Sequence, residues 1–523
     1  MQLAFALTVA TCIIIAIWHK FWARKHGDRR PEPPVIPTYI PIFGHAFGMI
    51  WYKKEYYKQL RDKCHLPIVT LPLPGSKIYA AFSVPIIQAI QKHSKTLAFQ
   101  PIQAKFSVKL CGASKDALRI LKKDMDPENG TYGNIYVSMH KALNPGETLN
   151  ELNRAMISRV CDFVDTIQRP PAESINVNLA EWLRHHLTAA TTDAVYGPHN
   201  PFRDQAVEKA FWIFEREIPK LIFLPDWLAL RGARNRKVVA DAFKRYFLSG
   251  HHDQASGLVK DFYASEIEYG FSMSDRSLFE VGHALAVLGN TSSAVFWLVF
   301  YVFSSPEALQ EIRQEVSTIM TTSINEASGK KEYIVDLRKV NASCPTLVSC
   351  FREAIRLHSI GISLRQVCKD TVLNDTYRLD KDAMVLMPTI AIHTDPALWG
   401  DDVNSFNYRR FHHSNPRKIP PAAFRSFGGG TTLCPGRHFA TTQIMAWTTM
   451  LVMRFDVEPA TGGPWVQPTT ENANLANVMA MPDNDIEVKI TSREECQNGT
   501  WRVIASDKEA MFSITAEDLE EKK

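Results

Sequence analysis

A mainly helical domain with a smaller β region, behind an N-terminal transmembrane helix, is predicted for this chain of 523 residues by three observations. The first is an uncharged apolar run from Met1 to Trp18, followed at once by Lys20, Arg24 and Lys25. The second is a set of long apolar segments with helical character in the body, above all residues 277–305. The third is the confinement of clear strand character to one stretch, Thr371 to Pro388.

Leu3, Phe5, Leu7, Val9 and Ile13 to Ile15 make the N-terminal run strongly apolar. Apolar then basic is the order of a helix that keeps its C-terminal side in the cytosol. Trp18, Phe21 and Trp22 suit the membrane interface. The competing reading, a cleaved secretory signal, lacks a basic start and a small-residue cleavage site. Residues 1–22 are therefore taken as an endoplasmic reticulum membrane anchor, single-pass, with the body cytosolic. Residues 23–44 follow as a basic and proline-rich linker. Pro31, Pro33, Pro34, Pro37 and Pro41 favour an extended, stiff chain there.

Length alone suggests about three domains. No Gly/Ser-rich or Pro-rich break interrupts the middle, so one large domain over 45–495 is preferred, with a loosely ordered charged tail over 496–523. A hydrophobic share of 45% and a charged share of 22% are ordinary for a folded protein. The net charge of +5 is concentrated between Lys20 and Arg30, which speaks against a nucleic-acid surface. The nine cysteines are scattered and form no CxxC pair, so neither a zinc site nor a disulfide framework is expected.

Residues 211–230 are apolar but broken by Pro219 and Pro225. They read either as core or as a membrane-dipping element beside a route for a greasy substrate. Residues 277–305 would make a helix of about 43 Å. A helix apolar all round is buried in protein or lipid. The polar cluster Asn290 to Ser293 at its middle favours a core helix over a second membrane span. Ser305-Pro306 reads as a fresh helix start. Further helices are expected over 345–358 and 437–453.

The sharpest chemical feature is Phe427-Gly428-Gly429-Gly430-Thr431-Thr432-Leu433-Cys434-Pro435-Gly436. Glycines let a backbone bend tightly and approach a flat ligand. The helix that begins just after Cys434 favours negative charge there, so a stabilised thiolate is expected. On the residues alone, an ordinary buried loop and a reactive nucleophile stay open beside an axial iron ligand.

At this turn the sequence resembles the cytochrome P450 family, whose motif Phe-x-x-Gly-x-Arg-x-Cys-x-Gly is matched by Phe427, Gly430, Cys434 and Gly436. Thr432 departs from it, standing where the family has a basic residue for a heme propionate. Glu353 and Arg356 match the family's Glu-x-x-Arg helix, where two residues three apart share a face. Arg410 resembles the arginine that completes a triad with them. Arg365 falls where the family places a propionate-binding arginine, and His393 falls at a recurrent position near the heme edge or in the core. In the long helix, Gly289-Asn290-Thr291 is similar to the family's oxygen-binding stretch, with Asn290 in place of an acid. A hydroxyl at Thr291 can bond the carbonyl one turn back and open the helix. This combination is similar to the sterol 7-alpha-hydroxylases and, more loosely, to prostacyclin synthase.

The resemblance implies heme b on Cys434, bound with Phe427, Gly430, Gly436 and Arg365, and chemistry served by Thr291 and Asn290. It implies monooxygenation: one atom of O2 enters a hydrophobic small-molecule substrate, sterol- or terpenoid-like, with electrons from an NADPH-dependent cytochrome P450 reductase. Arg417, Lys418, Arg425 and Arg437 are candidates for that partner's docking face. Ile360 to Leu364 and Val478 to Met481 are candidates for the substrate lining. The rival readings are a heme-thiolate isomerase or dehydratase, which needs no external electrons, and a non-catalytic heme-binding protein.

Overall fold

The structure is a computed structural model that describes residues 30–40, 43–126, 134–167, 174–324, 329, 331–474, 476–494, 499–505, 515 and 518. The expected membrane helix over 1–22 and the basic stretch 23–29 lie outside the described residues. The chain forms two compact units, Met1–Ala98 with Ser363–Pro388, and Phe99–Ile362 with Thr389–Lys523.

The smaller unit is built on a five-stranded sheet. Its first two strands, Ile68–Leu73 and Ser76–Ala81, form an antiparallel hairpin, and Met384–Pro388 adds in parallel to the second. The expected strand region resolves into Thr371–Leu373, Tyr377–Leu379 and Met384–Pro388. The first two are joined by Asn374, Asp375 and Thr376, with positive φ at Asn374 and Asp375 and the Thr376 N–H on the Leu373 carbonyl at 3.0 Å. The described part of the proline-rich segment is not a free linker. Prolines have no N–H to give, so they serve this sheet as acceptors. The carbonyl of Pro34 takes the Thr70 N–H at 2.8 Å, that of Pro33 takes the Thr70 hydroxyl at 2.7 Å, and that of Pro31 takes the Arg378 N–H at 3.1 Å.

The larger unit carries most of the helices. Four position the candidate site: α1, Met273–Leu288; α2, Thr291–Phe303; α3, Pro345–His358; and α4, Arg437–Arg454. The last two match the expected spans within a residue. α2 is the core of this unit, for every one of its residues is buried. It lies against α3, α4 and the helix Leu179–Tyr196. As expected, the long apolar segment is a core helix. It is broken in two, however, at Gly289-Asn290. Both residues rank low in helix propensity. A fresh helix does start at Pro306, although the Ser305 side chain makes no capping bond.

Region 211–230 divides between its two readings. Phe211, Phe214, Ile218 and Leu221 are core, at most 1% exposed. Phe223, Trp227 and Leu228 face outward, with Phe223 83% exposed. The segment past Glu494 is not loose at Gly499–Ile504. That stretch is a strand, parallel to Lys331–Asp336, and Trp501 is buried there against Tyr333. Alternation of Trp501 and Val503 with polar neighbours carried this signal, but the flanking charges hid it.

Candidate functional site

The turn before α4 is shaped by its glycines. Gly428 has φ of 82°, and a Cβ there would sit 2.7 Å from the Thr432 carbonyl oxygen. Only glycine satisfies both the dihedral and the space. The turn closes with the Cys434 N–H on the Phe427 carbonyl at 2.9 Å. Thr432 uses its hydroxyl locally, donating to the Gly429 carbonyl at 3.2 Å.

A buried bracket holds this turn in place. Arg356 gives two hydrogen bonds to Glu353, at 2.7 and 2.8 Å, and Arg410 adds a third at 2.8 Å. Glu353 and Arg356 are both fully buried. Such a group survives burial only when its polar atoms are satisfied. Here Arg356 also reaches the carbonyls of His393 and Val403, while Arg410 reaches Trp399 and Asp402. The expected triad is therefore present. His393 links the triad to the turn. Its Nδ1 donates to the Arg356 carbonyl at 3.0 Å, and its Nε2 accepts the Arg425 N–H at 2.9 Å. That Nε2 acceptor role fixes the neutral tautomer. Burial, then the charges of Arg356 and Arg425, push its pKa down to about 3. Ser426 adds a second hook, its hydroxyl on the Ile355 carbonyl at 3.2 Å. The last turn of α3 thus grips the chain just before Phe427.

Cys434 sits half-buried three residues ahead of α4. The Gly436 backbone N–H and the Arg437 charge lie close to its sulfur, and both pull its pKa down. Burial outweighs them, and the net shift is upward. The expectation of a thiolate made by turn and helix alone is therefore corrected. Desolvation penalises the anion, and a bound metal cation is what removes such a proton outright. Among the described residues no three His, Cys, Asp or Glu side chains form a metal-binding group. A lone cysteine thiolate suits iron whose other ligands come from a porphyrin. The donor set therefore fits heme.

The other candidates are placed as follows. Thr291 opens α2 and is buried. Among the described residues no bond from its hydroxyl to the carbonyl one turn back is present; the helix is instead interrupted at Gly289-Asn290. The Asn290 side-chain oxygen accepts the backbone N–H groups of Val478 and Met479, at 2.9 and 3.1 Å. Arg365 is buried within the smaller unit, its Nη1 on the Leu364 carbonyl at 2.7 Å. Arg417 and Lys418 are exposed, as a docking face requires. Arg425 and Arg437 are not: both are buried. Arg437 is paired at 2.8 Å with Asp518, which is itself buried. Sequence reasoning missed Asp518 because a contact across 81 residues leaves no local signal.

A cysteine on a glycine turn, backed by a helix start and locked to a Glu–Arg–Arg bracket, defines the heme-thiolate class of site. The chain belongs to the cytochrome P450 family, whose family model matches residues 33–489. It is 29% identical over 518 residues to the cytochrome P450 monooxygenase nodJ of Hypoxylon pulicicidum, covering 97% of this chain and 98% of that one. It is 24% identical to the cholesterol 7-alpha-monooxygenase of Cricetulus griseus, over 94% and 99% of the two chains. It is 26% identical to the 7-alpha-hydroxycholest-4-en-3-one 12-alpha-hydroxylase of Oryctolagus cuniculus, over 84% and 90%. The protein is an oxidoreductase of the P450 monooxygenase kind, and its family binds heme.

Proposed function

We propose that this protein inserts one oxygen atom from O2 into a hydrophobic, polycyclic substrate of sterol or terpenoid type, with electrons from an NADPH-dependent cytochrome P450 reductase. The observation that carries the reading is the Cys434 turn itself: a sulfur beside the Gly436 N–H, at a backbone that the Glu353–Arg356–Arg410 bracket immobilises. Heme held by a thiolate supplies oxygen activation, because the electron-rich sulfur favours O–O cleavage.

The chain's own residues do the rest. Cys434 would hold the heme iron. Gly430, Gly436 and Phe427 would shape the turn that receives the group, and Arg365 would pair with a propionate. Thr291, at the first position of α2, presents a hydroxyl that steers protons at the helix break. Asn290 carries no titrating proton, so water completes that relay.

Membrane attachment accords with two apolar faces, one in each unit. Phe223, Trp227, Leu228 and Leu230 are exposed in the larger, and Phe47, Ile50, Trp51 and Tyr52 in the smaller. Exposed apolar groups in such numbers mark a partner or lipid surface. With residues 1–22 as anchor, they support attachment to the endoplasmic reticulum membrane with the catalytic domain in the cytosol. Arg417 and Lys418 belong to the reductase-docking face.

The test is reconstitution with reductase, NADPH and 18O2 on a panel of sterols and other apolar polycycles. A product carrying one 18O, formed with NADPH consumption, is the expected result. A rearranged product formed without NADPH assigns an isomerase or dehydratase instead.

A further inference from the structure

The break between α1 and α2 leaves Asn290 at the N-cap of α2, with φ of −106° and ψ of −24°. Asparagine is among the best N-cap residues because its side-chain oxygen accepts an N–H of its own helix. Here it does not. The oxygen turns away from α2 and takes the consecutive N–H groups of Val478 and Met479. At its αR dihedrals the side chain is not placed to cap its own helix, so its partner lies outside the helix.

The reason lies in what else holds this segment. Trp297, seven residues on along α2, donates its indole N–H to the Ala480 carbonyl at 2.8 Å. Ser293, between them, donates its hydroxyl to the Met481 sulfur. Asn290, Ser293 and Trp297 follow helical spacing and form one stripe on α2. From the other side, the Ile360 N–H reaches the Val478 carbonyl at 2.8 Å, and the Ala480 N–H reaches the His358 carbonyl at 2.9 Å. A Cβ on Gly361 would come within 3.0 Å of Val478 Cγ1. The segment is thus fixed between α2 and the residues that follow α3. Asn290 supplies the acceptor for its first two amides.

We infer that Asn290 is a positioning residue for substrate: by pinning Val478 and Met479 it sets the wall against which an apolar substrate lies beside Thr291. This rests on the heme-thiolate reading above. It explains how an amide serves in place of a family acid, since the oxygen acts as a fixed acceptor rather than as a proton donor. An aspartate would supply the same acceptor. A leucine of similar size would supply none.

The experiment uses heme-loaded, full-length wild type, Asn290→Asp and Asn290→Leu. Amide hydrogen exchange is read at Val478 and Met479, and affinity for imidazole and for 4-phenylimidazole is read from the Soret shift. In Asn290→Leu the two amides should exchange about tenfold faster, the equivalent of one lost hydrogen bond. Its affinity for 4-phenylimidazole should change by about fivefold relative to imidazole, a probe that fills no wall. Asn290→Asp should match wild type in both. Unchanged protection in Asn290→Leu, or equal changes for the two imidazoles, would overturn the inference, as would an Asn290→Asp protein as unprotected as the leucine variant. Should Asn290→Leu fail to take up heme, Asn290→Ser, too short to reach the segment, gives the same comparison. A wild type without a thiolate-type spectrum rejects the heme-thiolate reading, while exchange at 478 and 479 still decides the clamp.

Discussion

Glu353 is the residue on which most of the site's geometry converges. It accepts from Arg356, from Arg410 and from the Asn407 backbone N–H, with no exposure to water. Replacing it by glutamine leaves two buried guanidinium groups facing a neutral amide. Breaking one partner of a buried ion pair typically costs about 3–5 kcal/mol. We expect Glu353→Gln to lower the unfolding free energy by that amount and to reduce heme uptake, measured by urea denaturation and by absorbance ratio. Gly428 is the second sensitive position. Gly428→Ala combines a positive φ with the 2.7 Å approach to the Thr432 oxygen, so the turn must shift. Strain of about 1–3 kcal/mol is expected, with loss of the Cys434 ligation reported by the carbon monoxide spectrum. Cys434, Glu353, Arg356 and Arg410 were legible because their spacing is a property of the chain itself. The roles of His393, Asn290 and Asp518 were not, because each depends on groups many residues away.

Among the elements, α3 and α4 were read closely because each combines an uninterrupted helical pattern with a nearby Pro that sets its start: Pro345 opens one and Pro435 precedes the other. The long central helix was read for its burial but not for its break. In the sequence Gly289 and Asn290 read as a motif within one helix, whereas their low propensity and the pull of Val478 and Met479 divide it. The strand Gly499–Ile504 was missed because six residues between charged stretches give little pattern. It completes a sheet with Lys331–Asp336 and buries Trp501. Trp501→Ala should therefore destabilise the larger unit by about 3–5 kcal/mol. A thermal scan checks this, and a shift no larger than that of an exposed control such as Arg502→Ala contradicts it.

At the scale of the whole molecule, two buried histidines, His393 and His438, and the half-buried His186 tie stability to pH. Burial is the first cause in each, lowering His186 and His438 to about 4 and His393 to about 3. Their ordinary value is 6.5. A depressed histidine binds fewer protons folded than unfolded. Its contribution is thus fully present above pH 6.5 and is lost as pH falls toward the folded value. Each removes up to about 1.4 kcal/mol per pH unit in that window. Urea midpoints should fall steadily from pH 6.5 to pH 4, and His393→Gln should flatten the slope. Whatever the pH, oxygenation at this site would rest on one bond, from Cys434 to heme iron. The most direct measurement is the carbon monoxide difference spectrum of the reduced, full-length protein, wild type against Cys434→Ala. A red-shifted, thiolate-type Soret band in the wild type, absent from the variant, is the predicted result. A well-folded, heme-loaded wild type without that band, or a variant that keeps it, contradicts the assignment of Cys434 and the oxygenation chemistry that depends on it.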